Sequence, residues 1–424
     1  MKNTFRRSFA RTLWMTVLGQ VLFVFLAVGQ ATSSPLLELH ARSGLPNFFF
    51  KLHRGDSVKI AYFGGSITAA AGGWRDQSAA WIQKEFPRAK VGLVNAAIGG
   101  TGSDLGVFRQ RNDVLAHHPD LVFVEFAVND HGAAPERILK TMEGIVRQIR
   151  RAHSRTDICF VYTLTATSAP TVVEGKLTNA MIAMEEVAAH YGIPSVQLGL
   201  EVIDLYKKGN LLFKGDPKEH PGKTVFSQDS VHPYTETGHR LYAEALARSL
   251  SALKPISHRK SHKLIKPLSK DNWENARMVL ATELAGAADW QLLTESDPIA
   301  RQFRNRLPVL LKSKSAGASL TLSFEGRIAG FYDVVGPGCG QFEVSVDNGP
   351  TVEYPRFDRF STYHRTHYFF IPEMNPGKHT VSLKVSDKPL DKMAILKTGN
   401  NQPGELTRYE TNDCYAGYVL LLGR

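Results

Sequence analysis

The sequence predicts a two-domain protein: an α/β domain built on a parallel sheet, followed by an all-β sandwich. Three observations carry this expectation. From about residue 56 to 251, short strand-like runs alternate with amphipathic stretches, the pattern of a parallel sheet covered by helices on both faces. The stretch 252–271, "ALKPISHRKSHKLIKPLSKD", is basic, carries two prolines and lacks an apolar period, as a linker does. Beyond it come short alternating runs such as "SLTLSFEG", "GQFEVSVDNG", "THYFFIP" and "KHTVSLKV", with turns at "DNGP" and "NPGK". That texture belongs to antiparallel sandwiches. A length of 424 residues accommodates two cores of ordinary size.

Taken in order, the chain opens with a leader. Lys2, Arg6, Arg7 and Arg11 precede the uncharged run "TLWMTVLGQVLFVFLAVGQA" and the small residues Gly29 and Ala31. This is the layout of a signal peptide over 1–31, or of a membrane anchor if it stays uncleaved. The body of the protein is therefore expected to be exported, either periplasmic or secreted, and in contact with a membrane only through that leader. An N-terminal extension is expected over 32–55. Strands are then expected at 57–63, 90–96, 120–127, 157–164 and 193–198, each short and apolar on both faces. Helices are expected near 74–86, 105–117, 135–153, 177–191 and 236–251, closing an α/β domain of 56–251. After the 252–271 linker, the sandwich takes 272–424.

The formal charge of +11 raises the question of a nucleic-acid partner. The four basic residues of the leader and Lys254, Arg259, Lys260, Lys263, Lys266 and Lys270 of the linker account for all but one unit of it. The basicity marks a leader and a linker rather than a binding face, so no nucleic-acid partner is expected. Three cysteines are too few for a disulfide framework. Cys159 reads as core, whereas Cys339 and Cys414 are left as a pair that an oxidising compartment could join. No metal-ligand spacing and no cofactor motif are found. "GGTGSDLG" has Leu105 where the dinucleotide fingerprint needs glycine, and "GKT" at 222–224 has Pro217 where a phosphate loop needs one. The sequence says nothing of oligomeric state.

Chemistry concentrates at strand ends. "KIAYFGGSITAAAGGW" runs an apolar strand into Gly64, Gly65 and Ser66; "NAAIGGTGSD" follows the second strand and "FAVND" the third. "SQDSVHPYTETGH" opens the last helix. In parallel sheets, ligands bind beyond the carboxyl ends of the strands. Acyl transfer requires a hydroxyl, a base and a group that orients the base, and Ser66, His232 and Asp229 can supply these. The oxyanion requires donors, for which the Ser66 amide, the Gly100 amide and the Asn129 side chain are candidates. Each residue also has a structural reading: Ser66 as a helix N-cap, Asn129-Asp130 as an Asx turn, Asp229 as a cap of the following helix.

The four blocks "FGGSIT", "NAAIGGTG", "AVND" and "DSVHP", in this order, resemble the SGNH hydrolases, also called the GDSL esterase family. The resemblance spans 56–251 and implies a flavodoxin-like three-layer α/β/α fold and ester hydrolysis. It also implies Ser66, Asp229 and His232 as the triad, with Gly100 and Asn129 as oxyanion donors. Two positions depart from the family pattern: Gly65 stands for the Asp of "GDS", and Ala127 for the Gly before x-Asn-Asp. An exported domain of this kind joined to a β-sandwich resembles bacterial carbohydrate esterases, which implies an acylated carbohydrate as substrate, held also by the sandwich or not. An acyltransferase, a lipid esterase, or a glycan-binding protein with a vestigial site remain as alternatives. Trp273, Trp290, Tyr354, Phe357, Phe360 and Tyr363 are either sugar-stacking or sandwich core. The small residues 69–73 suggest a pocket for acetyl, with Trp74 and Arg75 either meeting the sugar or packing the helix.

Overall fold

The computed structural model describes residues 36–313 and 315–423. The leader expectation for 1–31 lies outside them. Among the described residues no helix is long and apolar enough to cross a membrane.

The short strand β1 (Leu39–His40) and helix α1 (Pro46–Arg54) come first. The five expected strands follow as β2 (Val58–Gly64), β3 (Val91–Asn95), β4 (Leu121–Glu125), β5 (Asp157–Tyr162) and β6 (Ser195–Gln197). They pair in parallel in the order β3-β2-β4-β5-β6. This is the flavodoxin-like order, whose switch point lies beside the first strand of the unit. Ser66 follows β2 and Asn129 follows β4, so the two flank that switch point.

Between the strands run α2 (Ser66–Ala69), α3 (Trp74–Glu85), α4 (Ser103–Asp113), α5 (Pro135–Ala152), α6 (Ala169–Val173), α7 (Asn179–Tyr191) and α8 (Leu200–Lys207), with α9 (Arg240–Leu253) last. Alternate strand residues serve opposite layers. Ala61, Phe63, Val122, Val124 and Phe160 pack with α4, α5 and α7. Ile60, Tyr62, Phe123, Cys159 and Val161 pack with α1, α3 and α9. Each such fully buried large side chain contributes about 1.5–3 kcal/mol, which is why these strands are apolar on both faces.

The expected extension of 32–55 carries, in its described part, a strand and a helix. β1 pairs antiparallel with β6 at the sheet edge, and α1 buries Phe48 and Phe49 in the α3/α9 layer. Its apolar face, PNFFFKL, needs a core to cover it, and the sheet supplies one. The segment 208–228, for which the sequence offered no element, forms a parallel ribbon of β7 (Leu211–Lys214) and β8 (Thr224–Ser227) that leads into the His232 loop.

The segment expected as a linker, 252–271, is held by backbone contacts. The chain after α9 is stitched to the α5/α7 layer. Arg147 and Arg150 donate to the carbonyls of Ile265 and Lys263 at 2.8 and 3.3 Å. The amides of Leu268 and Ser269 donate to Glu143 at 2.5 and 2.7 Å. Arg259, Lys263, Lys266 and Lys270 stay exposed. Composition reports those side chains, whereas the backbone makes the contacts.

The C-terminal domain is antiparallel. A seven-stranded sheet contains β9 (Ala276–Leu280), β12 (Ser319–Val335), β13 (Gln341–Val346), β14 (Val352–Pro355), β15 (Arg365–Phe370), β16 (Gly377–Val385) and β18 (Tyr418–Gly423). A three-stranded sheet of β10 (Gln291–Leu292), β11 (Leu311–Ser313) and β17 (Cys414–Ala416) shares a core with one of its faces. The period-2 alternation of β12 and β18 divides the larger sheet between two cores. Ala329, Phe331, Val419 and Leu421 face the sandwich interior, and Ile328, Tyr332, Val334, Leu420 and Leu422 join the α4/α5 layer of the first domain. Phe108 of α4, Trp273 and Phe370 form an aromatic triangle at that junction, with ring centroids 5.5–6.1 Å apart.

Candidate active site

Ser66 is the first residue of α2, whose N-cap is Gly65, and its hydroxyl makes no capping bond. The hydroxyl instead lies 2.8 Å from His232 Nε2. On the other side of the ring, His232 Nδ1 is 2.6 Å from Asp229 Oδ2. The second carboxylate oxygen of Asp229 accepts the Val231 and His232 amides at 2.9 and 2.8 Å. Desolvation pushes the Asp229 carboxyl up, but the hydrogen bonds from the His232 ring and from these two amides outweigh it and hold it at about 2. Asp229 therefore caps no helix; the turn after it is introduced by Tyr234. Ser230, between Asp229 and Val231, has φ of 73°, a left-handed conformation that costs a serine on the order of 1 kcal/mol or more. Ser227 Oγ holds it there by accepting the Ser230 amide at 2.6 Å.

Asn129 and Gly100 complete the constellation. The Asn129 carboxamide lies so close over Gly65 that a Cβ at 65 would stand 1.8 Å from its Oδ1. This gives the Gly65 departure a physical reason: any side chain there would displace Asn129. Gly100 has φ of +72°, and a Cβ there would meet no atom within 4 Å. The position needs glycine for its backbone and leaves open space above it. Gly99 touches the Ser66 side chain, with its would-be Cβ 3.4 Å from Ser66 Cβ. All five expected residues thus converge at the carboxyl edge of the sheet.

Beneath them are groups the sequence reading passed over. Glu125, the last residue of β4, is buried and accepts the Thr68 and Thr163 hydroxyls at 2.8 Å each. Burial pushes its carboxyl up to about 7 against those bonds and one from the Gly65 amide. A single acid inside "LVFVEFA" was the available signal. Asp130 is buried as well and accepts the Ser103 amide at 2.9 Å. Burial raises it to about 7, opposed by hydrogen bonding to Ser103 and assisted by the charge of Asp104. His239 Nδ1 accepts the Trp74 amide at 3.2 Å, and burial lowers its pKa to about 4. Among the described residues no group of three or more His, Cys, Asp or Glu side chains is placed to hold a metal ion.

Trp74 and Arg75 take the packing alternative. Trp74 is fully buried between Tyr62 and Phe123. Arg75 is buried and donates to the Thr68 and Ala69 carbonyls that end α2. The open space lies on the other side, in a cavity of about 380 Å³ bordered by Val128 and Val231, the chain neighbours of Asn129 and His232. Of the sandwich aromatics, Trp273, Trp290 and Phe357 are core and Tyr354 stacks on Phe369, while Phe360 and Tyr363 are exposed. Cys339 and Cys414 are both buried and free, Cys339 in the inter-domain core and Cys414 in the sandwich core.

The family model of the GDSL-like Lipase/Acylhydrolase family matches residues 62–241, which span every residue of this constellation. Residues 62–241 are a GDSL-like lipase/acylhydrolase domain. The chain is similar in fold to the crystal structure of a two-domain esterase (CEX) active on acetylated mannans, co-crystallised with mannopentaose: 22% identity over 91% of this chain and 97% of that one, TM-score 0.68. The same esterase without the sugar aligns at 21% identity, with the same coverage and TM-score. The fold likeness therefore extends past the GDSL-like domain into the β-sheet domain. No curated protein matches the chain.

Proposed function

We propose that the protein is an exported serine esterase that removes small acyl groups, acetyl first, from a carbohydrate or polysaccharide. The observation that carries this reading is the imidazole of His232, bonded at 2.8 Å to Ser66 Oγ and at 2.6 Å to Asp229. Ser66 attacks the ester carbonyl carbon as His232 Nε2 takes its proton. Asp229, held as a carboxylate, fixes the Nδ1–H tautomer and stabilises the imidazolium. The carbonyl oxygen, now an oxyanion, is met by the Ser66 and Gly100 amides and the Asn129 carboxamide. The intermediate collapses, the C–O bond to the sugar breaks, and His232 returns the proton to the leaving alkoxide. Water, deprotonated by the same histidine, then attacks the acyl-enzyme and releases the carboxylic acid and free Ser66. His232 and Asp229 are about half exposed, so water reaches the acyl-enzyme.

The carbohydrate assignment rests on fold likeness to a mannan esterase across both domains. Export rests on the leader pattern of 1–31. A chromogenic acetyl ester, then acetylated mannan and xylan assayed for acetate release, test the activity and the substrate in turn. Ser66→Ala should retain the wild-type Tm and lose turnover. A folded Ser66→Ala protein with wild-type rate would overturn the assignment.

A further inference from the structure

The candidate oxyanion donor Gly100 sits on a loop, 96–102, that passes between β3 and α4. Its downstream end is held from outside its own domain. Tyr368, in β15 of the C-terminal sheet, donates its hydroxyl to Asp104 Oδ1 at 2.7 Å, across 264 positions of chain. Gly102 borders the same small cavity as Tyr368. Asp104 stands in the first turn of α4, accepts the Leu105 amide at 2.8 Å with the same Oδ1, and receives Arg137 on Oδ2 at 3.2 Å. The Arg137 guanidinium in turn lies 4.9 and 5.0 Å from the ring centroids of Trp273 and Phe370. Tyr368 thus bonds the residue that follows Gly100 by four positions. Gly100, Asn129, Asp130 and Tyr368 also border one small cavity of about 110 Å³.

We propose that Tyr368 is a positioning residue for the oxyanion loop, so that the C-terminal domain supplies part of the catalytic geometry. The proposal rests on the reading of Gly100 as an oxyanion donor. Gly100 adopts a left-handed φ, and no neighbouring atom lies within 4 Å of the side a Cβ would occupy. What restrains Gly100 is the fixing of the loop ends, upstream by the Ile98 amide bonded to the Gly64 carbonyl at 3.0 Å, and downstream by Ser103, bonded to Asp130 and Thr141 at 2.9 and 2.6 Å, together with Tyr368 on Asp104. A donor that must be preorganised loses its effect when it wanders by a fraction of an ångström. Releasing the downstream end should therefore lower kcat and leave substrate binding alone.

The test is Tyr368→Phe in the full-length protein, which deletes one oxygen and keeps the ring. Its kcat on an acetyl ester should fall about tenfold with KM within twofold, because a disordered donor is lost in part rather than removed. Phe369→Leu, a packing change on the same strand where the ring stacks on Phe331 and Tyr354, should lower Tm and leave kcat within twofold. Ser66→Ala, assayed in parallel, should be inactive. If Tyr368→Phe keeps kcat within twofold while Ser66→Ala is inactive, the positioning role is wrong and the esterase reading survives. If Phe369→Leu loses kcat as fully as Tyr368→Phe, the strand acts only through its stability and the proposal falls. Turnover by Ser66→Ala would remove the site reading and this proposal with it.

Discussion

Ser66 and His232 meet at 2.8 Å, yet the protein holds them in different ways. The Ser66 side is built into the sheet. Gly64 ends a buried strand, the Gly65 amide and Thr68 hydroxyl are anchored on buried Glu125, and Arg75 closes the end of α2. The His232 side is a surface loop. His232 and Asp229 are about half exposed, and their geometry comes from contacts within five residues of one another: Ser227 to Ser230, and Asp229 to the Val231 amide and to the amide and ring of His232. Ser66 is thus placed by long-range packing, and His232 by short-range hydrogen bonding. The difference explains why an Asp three residues before a His was readable as a pair, while the residues that aim Ser66 were not. It also predicts different failures: changes on the base side should cost rate without stability, and changes under Ser66 should cost both.

The largest effect tests the base side. His232→Ala should lower kcat by roughly 10⁴–10⁶-fold, close to Ser66→Ala, since members of one catalytic unit are not additive. Its Tm should barely move, because the lost side chain is half exposed. A drop of several degrees measured by calorimetry would show that the loop is coupled to the core, and the comparison would fail.

Next come two variants at the contact between the sides. Asn129→Ala should cost about 10²–10³ in kcat with KM little changed, as for an oxyanion donor. Gly65→Ala should reproduce that loss by another route, because its Cβ would stand 1.8 Å from Asn129 Oδ1 and drive the carboxamide aside. The pair should be far less than additive when combined. Additive losses would mean that Gly65 acts independently of Asn129.

The smallest effect concerns stability beneath Ser66. Burial pushes the Glu125 carboxyl up to about 7, above its ordinary value of 4.5, so the folded protein holds its proton more tightly than the unfolded chain. Its contribution is complete below about 4.5 and is lost as pH rises through 7, an effect on the order of 2–3 kcal/mol. Asp130, also raised to about 7, adds a slope of the same sign. Tm should therefore decline from pH 5 to pH 8 in the wild type, and the decline should be shallower in Glu125→Gln. An identical slope in the two proteins would place the titration elsewhere.

What sequence alone determined here was whatever depends on local pattern. The five strands appear within about two residues of their expected bounds because burial on both faces demands unbroken apolar runs. The loops at their carboxyl ends were legible because glycines, Asn-Asp and Asp-x-x-His stand out against those runs. Asp229 and His232 could be paired because three residues separate them. Tertiary structure decided the rest. Trp74 looks like a sugar platform in the chain and is a fully buried core residue in the fold, since only the packing of α3 on Tyr62 and Phe123 says which way it faces. The basic 252–271 segment looks free and is stitched down, because its contacts are made by backbone groups that every sequence carries alike. Tyr368 is one aromatic among several in a sandwich-like strand. That it reaches Asp104, 264 positions away, follows from one face of the C-terminal sheet closing on α4 and α5. A contact over that separation leaves no period or spacing in the sequence, because its geometry exists only once both domains have folded against each other.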